Sequence, residues 1–240
     1  DGTRTGVITP RDHTEQQGDT AHIFSPTGFL DDSWWHRTYW MYGQSYVSGA
    51  GGWSLAAQQA PAGRILCVDG TSIFGFGRAP LQFRGTPNAY HLFSCPKQPK
   101  RIAAGRKPDK KHSPSTLGDL TPTRIEYDWS HTIPFLARAM VLAADTLFVA
   151  GPPVPSDESE PYLRYGEAEI QRGLREATDA FEGRKGSLLM ALSKRGGSMR
   201  SAFRLPSAPV FDGLAAANGA LFLTMLDGTV VRLGAEGTPL

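Results

Sequence analysis

Residues 213–233, near the C-terminus, read GLAAANGALFLTMLDGTVVRL and contain the clearest structural signal in the chain. Asn218-Gly219 and Asp227-Gly228 each stand between runs of small and apolar residues. Such dipeptides suit tight primed turns, because the central residues of those turns must adopt positive φ. The stretch therefore predicts three consecutive antiparallel strands joined by two tight turns.

The same hairpin pattern occurs twice earlier in the chain. Residues 64–76 read RILCVDGTSIFGF and residues 140–151 read MVLAADTLFVAG, each with an acidic turn between two apolar runs. The equivalent phenylalanines are Phe74, Phe148 and Phe222, at a constant spacing of 74 residues. A long internal period of this kind indicates a repeat architecture, in which one structural unit is used several times.

Two insertions explain why this period exceeds the roughly 40–50 residues of an ordinary four-stranded unit. The first is a basic loop at residues 96–122, and the second is a Pro-rich and helical segment at residues 152–186. Within the second, apolar residues at helical spacing predict an amphipathic helix over residues 167–181. These apolar residues are Ile170, Leu174, Ala177 and Phe181.

The predicted organisation is a single segment over residues 1–240. Its blade-like repeats fall at about residues 20–95, 125–151 and 187–234. Short strands, tight turns and a long repeat are typical of a β-propeller, so the expected class is all-β with a short α-helical insertion.

Composition agrees with a turn-rich β protein. The 240 residues are 40% hydrophobic and 20% charged, with 27 Gly and 18 Pro. This apolar content is enough for a packed core. The net charge of +2 provides no global field for nucleic acid or an anionic membrane. No apolar run reaches the 18 or so residues of a membrane span.

One segment carries a resemblance to a known family. Residues 187–197 read SLLMALSKRGG and precede the two C-terminal hairpins. This arrangement resembles the repeat of pyrroloquinoline-quinone-like (PQQ-like) propellers, which runs apolar-x-Ala-Leu-Asp-x-x-x-Gly before a strand pair. Three further stretches resemble a subgroup of large bacterial PQQ-like repeat proteins: residues 29–40, 139–153 and 181–186. The resemblance covers roughly residues 20–235 and implies four-stranded blades.

The sequence departs from the quinone-binding members of that family. Their blades dock through a Trp after the repeat Gly, whereas residues 198–203 after Gly197 contain no Trp. They also stack the quinone on a disulfide between adjacent cysteines, whereas Cys67 and Cys95 lie 28 residues apart. We therefore expect no cofactor, with PQQ and calcium as the alternative. The two cysteines are either buried free thiols or one disulfide.

The densest group of chemically versatile residues lies between residues 31 and 42. We predict a ligand site formed by Asp31, Asp32, Trp35, His36, Arg37, Tyr39 and Trp40. Aromatic rings can stack on a sugar or planar ligand while carboxylates and a guanidinium bind its polar groups. In the alternative interpretation, these aromatics fill the gap between neighbouring blades. No metal spacing is present, and adjacent carboxylates in a strand point to opposite faces.

Between residues 97 and 111, the basic loop places seven cations against a single acid, Asp109. These cations are Lys97, Lys100, Arg101, Arg106, Lys107, Lys110 and Lys111. They could contact an acidic polymer or partner, but no aromatic lies between them to stack on bases. We interpret the segment as a solvated loop and expect no nucleic-acid partner.

A closed propeller needs at least about four blades, and the sequence contains three recognisable repeats. We expect other polypeptide to complete the ring, as further blades or another subunit. The start at Asp1 without an initiator Met is interpreted as a sign of a cut chain. The expected function is a non-catalytic binding or assembly module in an extracytoplasmic complex, periplasmic or at the cell surface. The alternative is a quinoprotein-type dehydrogenase or carbohydrate-active enzyme using residues 31–40.

Overall fold

A computed structural model describes residues 22–24, 40–43, 60–78, 90–98, 100–101, 123–153 and 164–234. Within these ranges the chain is mostly β, with one helix. The order of the elements, and their grouping into four sheets and one two-stranded ladder, follow directly from the strand pairing.

All the strand pairs are antiparallel. Sheet 1 contains β1 (His22–Phe24), β2 (Trp40–Gly43) and β3 (Ala62–Gly63). Sheet 2 begins with β4 (Ile65–Val68), β5 (Ser72–Arg78) and β6 (Tyr90–Pro96). A short ladder follows, of β7 (Lys100–Arg101) and β8 (Thr123–Arg124), before β9 (Trp129–His131) completes sheet 2. Sheet 3 contains β10 (Ala139–Ala143), β11 (Thr146–Gly151), β12 (Ser187–Ser193) and β13 (Met199–Leu205). Sheet 4 contains β14 (Pro209–Ala217), β15 (Ala220–Met225) and β16 (Val230–Gly234).

The three hairpins predicted around Phe74, Phe148 and Phe222 are confirmed, and their paired residues keep the spacing of 74. Phe74, Phe148 and Phe222 pair with Cys67, Val141 and Ala215 respectively, so each pair lies 74 residues from its equivalent. At the Asn-Gly turn, both central residues have positive φ, +50° for Asn218 and +72° for Gly219. This is the geometry that a primed turn requires.

The helical insertion is also confirmed, as helix α1 (Ala168–Phe181). Ile170 is buried and Leu174 and Ala177 are half-buried, whereas Phe181 lies at the exposed edge of the apolar face. The insertion joins β11 to β12, which pair directly in sheet 3. The insertion therefore connects two strands of the same sheet and does not link two different sheets.

The basic insertion was predicted to be a loop, but residues at both of its ends form β-structure. Pro96 ends β6, and Lys100 pairs with Arg124 in the two-stranded ladder at the base of the segment. This ladder forms because antiparallel strands can satisfy each other's backbone groups at the neck of an insertion. Residues 102–122 lie outside the described residues.

The sheets pack face to face in chain order. One face of sheet 2 carries Ile73, Phe93 and Cys95, with Tyr42 of sheet 1 beside them. Its other face packs against sheet 3 through a larger apolar cluster, which includes Phe74, Phe76, Leu92, Leu147, Val149 and Leu192. Sheet 3 then packs against sheet 4 through residues that include Ala150, Leu189, Leu205, Leu214, Leu223 and Met225.

The first strands of sheets 2, 3 and 4 are also neighbours. The Cys67 thiol in β4 lies 3.6 Å from the carbonyl oxygen of Met140 in β10. The Asp212 amide in β14 donates a 2.8 Å hydrogen bond to the carbonyl oxygen of Arg138, just before β10. No helix in the described part of the chain has the length and apolar character needed to cross a membrane.

Candidate functional site

The predicted ligand cluster falls mostly on residues for which the structure gives no placement. Asp31, Asp32, Trp35, His36, Arg37 and Tyr39 all lie outside the described residues. Trp40 begins β2, where it is half-buried, and the next residue, Met41, is fully buried. The cluster thus stays a prediction, and the candidate site is built from the interfaces between sheets.

The interface between sheets 2 and 3 is closed by Trp129. Its indole Nε1 donates a 2.9 Å hydrogen bond to the carbonyl oxygen of Lys194, in the turn between β12 and β13. Its ring lies 6.3 Å from that of Phe74, centroid to centroid, and stacks on His131. The indole is 7% exposed, so it fills this part of the interface.

Gly197 makes this close packing possible. Its φ is +66°, and a Cβ at this position would lie 2.5 Å from His131 Cδ2 and 2.7 Å from Trp129 Cε3. The sequence contains no Trp directly after Gly197, but the structure places Trp129 of the preceding sheet against this glycine. No local sequence pattern predicts this contact, because Trp129 and Gly197 lie far apart in the sequence and belong to different sheets.

An ion pair crosses the same interface. Lys194 Nζ lies 3.0 Å from Asp69 Oδ2, which joins the β12–β13 turn to the β4–β5 turn. Partial burial of the Asp69 carboxyl opposes its ionisation. The Thr71 and Ser72 amides and the Lys194 ammonium outweigh that effect and lower the Asp69 pKa to about 2.

Sheets 3 and 4 do not close in the same way. In sheet 2, Phe74, Ser94 and Trp129 lie in one row across the strands. The same row in sheet 3 contains Phe148, Ala191 and Ser201. Ser201 thus holds the position of Trp129, with a side chain too small to fill the space.

A groove of about 840 Å³ lies at this position, between sheets 3 and 4. Leu189 and Leu221 are buried residues of its lining, and Phe148 and Phe203 contribute aromatic rings. Polar groups at the turns come from Thr146 and Asn218. No sequence pattern predicts the groove, because it results from a small residue, Ser201, at one row position.

An ion pair fixes one side of the groove. Both terminal nitrogens of the Arg200 guanidinium, Nη1 and Nη2, donate to the Asp145 carboxylate, at 3.0 and 2.6 Å. Nη1 also donates to Thr146 Oγ1 at 2.7 Å. Hydrogen bonding from Arg200 lowers the pKa of Asp145 to about 2. The β10–β11 turn and β13 are therefore held together at the rim.

A charged row lies at the start of the three neighbouring first strands. Arg64, Arg138 and Asp212 are separated by 74 residues each, and Arg64 and Arg138 donate equivalent backbone hydrogen bonds to Phe76 and Ala150. The Arg138 guanidinium lies 4.3 Å above the Phe181 ring. Burial and the nearby Arg64 charge lower the pKa of Arg138.

The two cysteines are free thiols. Cys67 is in β4 and Cys95 is in β6, with β5 between them. They belong to clusters on opposite faces of sheet 2, so a disulfide within the chain would require the sheet to break. Burial raises the pKa of Cys67 to about 11 and that of Cys95 to about 12.

The described residues contain no group of three or more His, Cys, Asp and Glu side chains that could hold a metal ion.

Part of the basic loop lies against sheet 1. Lys97, at its start, lies 5.8 Å above the ring of Tyr42. Arg106, Lys107, Lys110 and Lys111 fall outside the described part of the chain. Among the described residues of that loop, Lys97 at its start lies against sheet 1.

Comparisons with known proteins leave the family open. No protein-family model matches the chain. No curated protein matches it significantly. The PQQ-like resemblance therefore enters the functional conclusion only as a proposal.

Proposed function

We propose that the chain is part of a PQQ-like β-propeller that acts as a non-catalytic binding or assembly module in an extracytoplasmic complex. Successive antiparallel sheets with neighbouring first strands support this proposal, because propeller blades are arranged in this way around a central channel. The fold alone does not determine an activity. Support for the proposed role comes from the surface of sheet 4.

The observation that carries the proposal is the different environment of the three equivalent phenylalanines. Phe74 is 1% exposed and packs towards sheet 3, and Phe148 packs against the cluster between sheets 3 and 4. Phe222 belongs to none of the apolar clusters of the described residues. Its face of sheet 4 thus repeats a surface that the preceding sheets bury.

Two apolar residues of sheet 4 are exposed, whereas Phe222 itself is half-buried. Val230, 67% exposed, pairs with Thr224 on the Phe222 face of the sheet, and Phe211 near the start of β14 is 46% exposed. Val230 thus adds an exposed apolar side chain to the Phe222 face, as occurs at interaction sites. We infer that another sheet of the same repeat covers this face, supplied by further blades or by another subunit.

Sedimentation of the 240-residue chain over a range of concentrations tests the proposal. We expect concentration-dependent association, together with fluorescence of bound 8-anilinonaphthalene-1-sulfonate. Phe222→Lys should abolish both signals by placing a charge on the face, without a change in the circular dichroism spectrum. Tyr165→Lys is the matched control, because Tyr165 is 66% exposed beside helix α1.

The opposite results would contradict the assembly role. A chain that stays monomeric at every concentration and binds no dye does not present an open apolar face. Association that survives Phe222→Lys, or that Tyr165→Lys abolishes equally, would place the contact elsewhere on the molecule.

A further inference from the structure

The groove between sheets 3 and 4 lies where the preceding interface holds an indole. The row Phe74, Ser94, Trp129 in sheet 2 faces sheet 3, and Trp129 donates to the backbone of that next sheet. The equivalent row in sheet 3 faces sheet 4 and ends at Ser201. Two neighbouring interfaces thus differ by one aromatic ring at the same position.

The packing around Trp129 shows what this position accommodates. The indole lies against Phe74 on its own sheet and over Gly197 on the next. Phe148 holds the place of Phe74 beside the groove, so an aromatic wall is also present there. The groove thus has an aromatic side chain equivalent to Phe74, but no ring equivalent to the Trp129 indole.

The groove is also continuous with an apolar interface. Leu189 and Leu221, 1% and 9% exposed, line the groove and belong to the cluster that joins sheets 3 and 4. Phe203 lies in the lining and is 53% exposed. A volume of about 840 Å³ falls within the range of about 300–1,000 Å³ that small-molecule sites occupy.

Polar groups also contribute to this lining. The groove is lined by two residues with a hydroxyl group, Thr146 and Ser201, and by one with a side-chain amide, Asn218. The Thr146 hydroxyl already accepts a hydrogen bond from Arg200. An apolar cleft with a few fixed polar groups favours a flat ligand that carries one hydrogen-bonding group.

We propose that the groove binds a small planar aromatic molecule of the indole type, with its ring between Phe148 and Leu221. The ring would take the place that Trp129 occupies between sheets 2 and 3. This site is separate from the Phe222 face of sheet 4, and its existence requires neither a closed ring nor an assembly partner.

Titration of the isotope-labelled chain with free indole tests the site by two-dimensional amide NMR. We expect saturable shifts confined to residues of the two turns that border the groove, Ala144–Thr146 and Ala216–Ala220. Ser201→Trp should abolish these shifts, because its own indole fills the groove. Ser201→Ala should retain them, since it leaves the groove open.

Matched variants separate blocking of the groove from damage to the fold. Ala202→Trp adds the same ring one residue further along β13, at an exposed position outside the groove lining, and should retain indole binding. Ala216→Phe narrows the groove from the sheet 4 side and should weaken binding if Ser201→Trp does not fold. The circular dichroism spectrum of each variant reports on folding.

The proposal fails if free indole produces no saturable shifts in the wild-type chain. This includes the case in which a tryptophan from another part of the chain already fills the groove. Binding that survives both Ser201→Trp and Ala216→Phe would also overturn it, because the ligand would then lie elsewhere.

Discussion

Trp129 and Lys194 are joined by a 2.9 Å hydrogen bond between the indole Nε1 and a backbone carbonyl oxygen, 65 residues apart in sequence. The bond connects the last strand of sheet 2 to a turn of sheet 3. Because a buried indole N–H needs a partner, the contact satisfies a polar group while the ring fills apolar space. This side chain thus contributes both apolar packing and a hydrogen bond to the interface between the two sheets.

Truncation of Trp129 should therefore be costly. We expect Trp129→Ala to lower the free energy of unfolding by about 3–5 kcal/mol, because it leaves a cavity between two sheets. Trp129→Phe keeps an aromatic ring and loses the hydrogen bond, so about 1–2 kcal/mol is expected. Urea unfolding followed by circular dichroism measures both changes.

The control for Trp129 is Phe203→Ala, which removes an aromatic ring that is 53% exposed. We expect it to cost less than Trp129→Ala. Equal losses for the two truncations would show that the indole does not close the interface.

Two adjacent glycines provide a second test. Gly197→Ala should destabilise the protein by about 2 kcal/mol or more, because φ is positive there and the new Cβ would overlap His131 and Trp129. Gly196→Ala should have little effect, because no atom lies within 4 Å of its Cβ position. Thermal unfolding of the two variants should separate them clearly, and similar melting temperatures would contradict the packing of Trp129 on this turn.

The ion pair between Asp69 and Lys194 predicts a pH dependence. The folded-state pKa of Asp69 is about 2, below its ordinary value of 3.8, so the contribution to stability is present above that ordinary value and is lost as the pH falls towards 2. Asp69→Asn should cost about 1 kcal/mol at neutral pH, since the pair is partly solvated. Its difference from the wild type should shrink as the pH falls below about 4.

Chemical denaturation between neutral and acidic pH measures this dependence. Asp145→Asn is the comparison. The Asp145 pKa is also lowered to about 2, but its ion pair with Arg200 is exposed and lies within sheet 3, so we expect a smaller loss of stability than for Asp69→Asn. A constant difference between Asp69→Asn and the wild type at all pH values would exclude a role for ionised Asp69.

The thiols should be unreactive in the folded protein. With pKa values of about 11 for Cys67 and about 12 for Cys95, both groups are protonated near pH 8, where only the thiolate is nucleophilic. We expect slow modification by dithionitrobenzoate, with half-buried Cys67 reacting before buried Cys95. Two thiols should titrate in urea without a reductant, and a count of zero would indicate a disulfide.

Local chemistry was sufficient to predict the hairpins and the helix. The Asn218-Gly219 turn forms because those two residues tolerate positive φ, and helix α1 forms where apolar residues recur at helical spacing. Both signals depend on residues that are close in sequence. The 74-residue period was also visible, because each hairpin repeats the same short pattern.

The groove could not be predicted, because a cavity is the absence of a side chain at a position defined by register. Ser201 is equivalent to Trp129 only after strand pairing places each in the fourth position of its row. No local pattern in β13 marks Ser201 as different from any other strand serine. The candidate residues 31–40 were noticeable for their composition alone, and composition does not place them in space.

The tight turns, the hairpin pairs, the helical insertion and the 74-residue spacing could be predicted from the sequence, since they depend on neighbouring residues or on a fixed period. The contacts of Trp129 with Gly197 and of Asp69 with Lys194, and the separation of Cys67 from Cys95, follow from the packing and pairing of the strands. Sheet-on-sheet packing brings together residues with no periodic relation along the chain. Shape and burial select those contacts once the sheets have formed.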